Sequence, residues 1–279
     1  MTTPSKPDKL GILLRVALFI VIGVMGMMIF PMVMYPLGGI LAASALGTFA
    51  AAAVANAVTV RIYERGRLSE LGLAWGEKSG REVLIGFSAA AAAAVLIVAG
   101  PALAGFANFE RAPGVEHPVA SFLFVSIVLL FGAAGEEMLF HGYAFQLLVR
   151  SIGAFATILP VSILFGFEHL RNPNASLLGA VNTTLWGILL GFAYWRTNAL
   201  WLPIGLHFGW NFTLPVFGAN LSGFTMGVTG FTLHWRVGAL WSGGAYGPEG
   251  GILTTIVVIA LFFVLHHAFP EIDDVIPED

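Results

Sequence analysis

Long uninterrupted apolar runs separated by short polar breaks dominate the chain. Eight stretches, 11–36, 38–60, 83–105, 118–149, 153–170, 176–195, 199–217 and 250–268, are long enough to read as membrane crossings, a spanning helix needing about 20 apolar residues. None alternates apolar and polar positions as a spanning barrel strand would. The pattern predicts an all-α polytopic membrane helix bundle with about eight transmembrane helices. The first run follows Lys6 and Lys9 but is too long for the core of a cleaved signal and lacks a small-residue cleavage site, so it reads as a retained helix. Between the runs, residues 61–82 form a polar connector with a short helix expected around Leu68 to Leu73, and residues 219–249 form the longest loop. That loop carries Gly243, Gly244, Gly247 and Pro248, with Gly250 and Gly251 leading into the last helix. Three segments follow from this layout: 1–117, 118–217 and 218–279. The alanine-rich second and third helices suggest close helix packing rather than a binding pocket.

Charge orients the bundle. With the N-terminus inside, ten of the 13 Lys and Arg residues fall on the inner side and only Arg111, Arg171 and Arg236 on the outer. Short cytoplasmic loops collect Lys and Arg, so both termini are expected in the cytoplasm. The short tails and compact loops suggest a multi-pass protein of a bacterial inner membrane. Only 10% of the 279 residues are charged, against roughly 25% in an average soluble domain, so the lipid bilayer is the main partner. A net charge of −3 with no basic block argues against nucleic acid. The absence of cysteine excludes disulfides, thiolate zinc sites and cysteine nucleophiles.

Against this apolar background, Glu136, Glu137, His141, Glu168, His169, His207 and Asn211 lie within expected spans. A carboxylate at the centre of a spanning helix costs about 2.5–3.5 kcal/mol on insertion scales, which makes such residues functional candidates by default. Six ionisable groups on three helices point to one cluster. Glu136 stands 16 residues before a turn near Ile152 and His169 stands 17 after it, so in an antiparallel pair both lie about 24 Å from the turn. Glu137 and His141 share a helix face, as do His207 and Asn211. Glu136 and Glu137 point about 100° apart and should have different tasks. Glu168 reads as a local partner of Arg171.

These residues resemble a known family. Glu136-Glu137-Met138-Leu139-Phe140-His141-Gly142 is similar to an E-E-x-x-x-R motif followed by Gly, Phe165 to His169 to F-x-x-x-H, and His207-Phe-Gly-Trp-Asn211 to H-x-x-x-N. The family is that of the CPBP intramembrane proteases, which includes CAAX prenyl endopeptidases of the Rce1 type and Abi-type proteins. The resemblance covers roughly residues 120–212. Its Arg is replaced by His141, which leaves a pair with Glu137 available but titratable.

The resemblance implies hydrolysis of a peptide bond in a membrane-associated peptide or protein, with Glu136 and His169 activating a water. A carboxylate in a low-dielectric pocket is a stronger base, which makes that role physically reasonable. His207 and Asn211 offer donors for a developing oxyanion, with Glu137 and His141 in support. A metal-independent mechanism is favoured. A zinc site from Glu136, His169 and His207 is the alternative, because two His and a carboxylate form a common catalytic set. Two further readings use the same groups: a proton-coupled transporter, and a catalytically silent scaffold or immunity protein.

Overall fold

The computed structural model describes residues 8–112 and 118–269. Its helices are α1 (Lys9–Met34), α2 (Gly39–Tyr63), α3 (Ser79–Leu103), α4 (Pro118–His141), α5 (Tyr143–Ile152), α6 (Ala154–Glu168), α7 (Leu177–Thr197), α8 (Trp201–Val216), the single turn α9 (Ala239–Ser242) and α10 (Ile252–Ala268). Among the described residues, six helical stretches are long and apolar enough to cross a membrane: Lys9–Leu37, Gly39–Tyr63, Ser79–Leu103, Val119–Ile152, Ala154–Arg171 and Leu177–Thr197. The expected all-α polytopic bundle is therefore observed, whereas the seventh and eighth runs form helices of only 16 and 17 residues.

Successive helices alternate direction and give the bundle two ends. One end gathers the connector after α2, the α5–α6 turn, the α7–α8 turn and the end of α10. It is tied together by Arg15 to Glu64 at 2.6 Å, by Leu200 N–H to the Gly72 carbonyl at 2.9 Å and by Arg196 to His266 at 3.0 Å. Because most Lys and Arg residues lie here, it is called the basic end below. At the far end, β1 (Ala107–Arg111) pairs antiparallel with β2 (Phe231–Trp235), Ala107 opposite Trp235. This small sheet joins two segments that the hydrophobic pattern reads only as loop.

Small residues set the helix spacing, since without a solvent to drive apolar surfaces together, close backbone approach carries the packing. A side chain at Gly86 of α3 would meet the backbone of Leu202 and Leu206, and one at Gly205 or Gly209 of α8 would meet the carbonyls of Val83 and Phe87. On α2, Gly47 abuts Pro31 of α1. The alanine-rich helices do pack closely, as expected, but Ser44, Ala45 and Thr48 of α2 also form part of a cavity wall.

The fourth apolar run is not one straight helix to residue 149. It ends at His141, Gly142 adopts a non-helical conformation, and α5 starts afresh. Asn56 of α2, fully buried, spans this break: its Nδ2 donates to the Met138 carbonyl and its Oδ1 accepts from Tyr143 N–H, at 2.8 and 2.7 Å. One amide thus satisfies two backbone groups orphaned by the interruption, which water cannot reach. A Cβ at Gly142 would collide with Met138 and Asn56. The matched-depth count across Ile152 assumed one continuous rod and must be corrected to a path through this break. The two residues it paired nevertheless meet.

Candidate active site

The last turns of α4 carry Glu136, Glu137 and His141, and α8 brings His207 and Asn211 beside them. His169 comes from α6 but is not within the helix: α6 ends at Glu168, and His169 opens the short turn His169–Arg171. This end position lets the ring turn inward. Glu168, on the opposite side, pairs with Arg171 at 3.0 Å and is about half exposed, so it belongs to the rim.

Two layers of polar groups result. In the deeper one, Glu137 is 1% exposed, and its two oxygens bridge two imidazoles: Oε2 to His141 Nδ1 and Oε1 to His207 Nδ1, each at 2.7 Å. The pair with His141 expected from the spacing is present, and the second partner is one that helix periodicity cannot show. His141 is further enclosed by an edge-on contact with Phe145, ring centroids 4.9 Å apart. The second layer faces a cavity of about 590 Å³. Glu136 Oε2 lies 3.8 Å from His207 Nε2 and 4.0 Å from His169 Nε2, and this buried oxygen has no hydrogen-bond partner among the described residues. Asn211 lines the same cavity.

The histidine tautomers follow from their partners. His169 Nδ1 faces the Phe165 carbonyl at 2.9 Å, which only accepts, so Nδ1 carries the proton. His207 Nδ1 likewise donates to the Glu137 carboxylate. Both Nε2 atoms are thereby turned toward Glu136, as in imidazoles oriented by an outer carbonyl or carboxylate to bind a metal or to exchange a proton. The separations of 3.8 and 4.0 Å exceed the roughly 3.3 Å between ligands of a tetrahedral zinc with bonds near 2.0–2.1 Å. No group of three His, Asp or Glu among the described residues is arranged to hold a metal ion. The donors suit zinc in kind, but their spacing is too wide.

Two further residues of the cavity were not singled out in the sequence. Glu249, in the turn before α10, accepts from Trp210 Nε1 at 3.1 Å, from Ser222 Oγ at 2.9 Å and from Ser222 N–H. Its carboxyl is pushed above the ordinary range by burial, which the Ser222 donors and His169 oppose. Nothing marked it, because it lies in a loop whose inward fold depends on Asn182 of α7 holding the Glu249 and Gly251 carbonyls at 2.7 and 2.9 Å. Trp186 presents a buried Nε1–H with no partner among the described residues, and as an apolar-helix tryptophan it reads as packing.

A many-helix membrane bundle that gathers carboxylates and imidazoles around one buried cavity is a polytopic membrane protein with an intramembrane polar site. Within it, residues 118–213 match the model of the family described as type II CAAX prenyl endopeptidase Rce1-like, the family the three motifs resemble. The matched stretch contains Glu136, Glu137, His141, His169, His207 and Asn211, whereas Ser222 and Glu249 lie beyond it. The match covers about a third of the chain, and the family it belongs to is, by its description, one of endopeptidases. No curated protein matches the chain.

Proposed function

We propose that the protein is an intramembrane endopeptidase in which Glu136 and His169 activate a water against a peptide bond of a membrane-associated substrate. The observation that carries this reading is the unpartnered Glu136 oxygen held between two imidazole nitrogens, at distances a single bridging water spans with two hydrogen bonds of about 2.8 Å. Glu136 takes the proton as the water attacks the carbonyl carbon. The same proton then passes to the leaving amine nitrogen as the C–N bond breaks, and the carboxylate is restored. His169, its Nδ1–H fixed by the Phe165 carbonyl, accepts from the water at Nε2 and orients it.

The oxygen of the tetrahedral intermediate requires donors. Asn211 offers an amide. His207 donates from Nε2 only as the doubly protonated ring, whose charge faces the Glu137 carboxylate, so Glu137 serves the oxyanion through His207. His141 on the other oxygen of Glu137 keeps that carboxylate in place.

Replacing Glu136 with Gln keeps the shape and removes the base. Cleavage of membrane substrates by the purified protein in detergent should fall by about 10² to 10⁴, and turnover near wild type would exclude Glu136 as the base.

A further inference from the structure

We propose that the site opens to the extracytoplasmic side of the membrane, so that the bond it cleaves lies in a segment already on that side; this rests on the protease reading. The first support is where the cavity walls come from. Ile40, Ser44 and Thr48 belong to the first ten residues of α2, counted from the far end. Val125, Leu129 and Gly132 lie on the part of α4 that descends from the same end, and Ser222, Thr225 and Gly227 belong to the far-end loop. No residue of the connector after α2 or of the α7–α8 turn lines the cavity.

Accessibility agrees with this. Thr225, Gly227 and the rim residue Glu168 are exposed, and Met27 and Ile40, also wall residues, are exposed on the sides of α1 and α2. The cavity is therefore open at the far end and along its flank in the same half of the bundle. Toward the basic end it is closed by packed polar groups. Below Glu136 lie the Glu137 bridge and Asn56, and Gln146 Nε2 donates to the Leu71 and His141 carbonyls at 3.0 and 3.1 Å.

Charge assigns the ends to the two sides of the membrane. Of the Lys and Arg residues among the described positions, nine lie at the basic end and three, Arg111, Arg171 and Arg236, at the far end. Arg and Lys are retained on the cytoplasmic side, so the open end is extracytoplasmic. A substrate would reach Glu136 as a translocated peptide, or by entering sideways past Met27 and Ile40 from the outer leaflet. A cytoplasmic tail would meet only the closed end.

The absence of cysteine from the sequence makes the test direct. Single cysteines are placed at the cavity mouth (Thr225→Cys), on the cavity wall (Ser44→Cys) and in the connector at the basic end (Ser69→Cys). Each variant is treated with a charged, membrane-impermeant maleimide in sealed right-side-out vesicles, before and after permeabilisation. Thr225→Cys and Ser44→Cys should react in sealed vesicles and Ser69→Cys only after they are opened. Thr225 is exposed on a loop, so its variant reports even if the wall substitution disturbs folding. Reaction of a cavity cysteine only after permeabilisation, or of Ser69→Cys before it, overturns the proposal. Labelling requires no turnover, so a purified wild-type protein that cleaves no membrane substrate would remove the protease reading and leave the labelling pattern standing.

Discussion

Substituting Glu137 with Gln tests the two-histidine bridge. The carboxylate accepts from His141 Nδ1 and His207 Nδ1 at once, both at 2.7 Å. A Gln amide of the same size presents one acceptor and one donor, so one of the two N–H groups must face an NH₂. Each of these bonds is charge-assisted, and losing one in a buried site costs about 1.5–3 kcal/mol. If the amide oxygen stays with His141, His207 is left facing a donor and flips its tautomer or loses its second proton. Either way the neutral ring carries its proton on Nε2, so the oxyanion meets a neutral donor in place of a charged one, and kcat falls by less than the roughly 10² to 10³ of a lost donor. The interaction strengthens only in the transition state, so kcat should fall with KM nearly constant. Cleavage kinetics and unfolding in detergent on the same preparation separate the two effects. A stability loss with unchanged kcat would reduce Glu137 to a structural strut. No change in either would refute the reasoning from the bridge.

Replacing His141 with Ala should cost less than the roughly 3–5 kcal/mol of a broken buried ion pair, because Glu137 keeps His207; unfolding in detergent, with a loss well below that of Glu137→Ala, checks it. Zinc analysis of active protein should find well below one equivalent, with activity surviving a chelator; stoichiometric zinc lost and regained together with activity would reverse the choice of mechanism. Glu249, whose folded-state carboxyl lies above its ordinary value of 4.5, keeps more protons folded than unfolded between those two values. Its contribution is therefore present at low pH and is lost as pH rises from about 4.5 through the raised value. The fall in stability with pH in detergent should flatten in Glu249→Gln. Finally, Gly205→Ala should drive a methyl into the Val83 carbonyl and cost about 1–3 kcal/mol by overpacking, read as lower thermal stability in detergent.

The bundle and much of the candidate site were legible because both rest on local rules. Apolar run length marks helices, and a charge inside such a run marks a position lipid cannot tolerate. The four-residue spacing in Glu137 and His141 likewise announced their contact. What escaped was set by tertiary packing. The interruption at Gly142 depends on Asn56, 86 positions earlier in the chain, and hydropathy runs through it unchanged. His207 as second partner of Glu137 requires the angle between α4 and α8. Glu249 was hidden by its setting, since an acid in a glycine-rich loop reads as solvated until the loop is seen folded against α7.

The shortness of α10 also bears on the surrounding bilayer. With 17 residues it extends only about 26 Å at 1.5 Å per residue, against a hydrocarbon layer of about 30 Å. Ile256, Ile259, Phe263 and Val264 leave its outer face exposed, so lipid beside it must compress, at a cost of a fraction of a kcal/mol per ångström of mismatch. Longer acyl chains in the host membrane raise that cost and shorter ones relieve it, which makes bilayer thickness a term in the stability of this edge of the bundle.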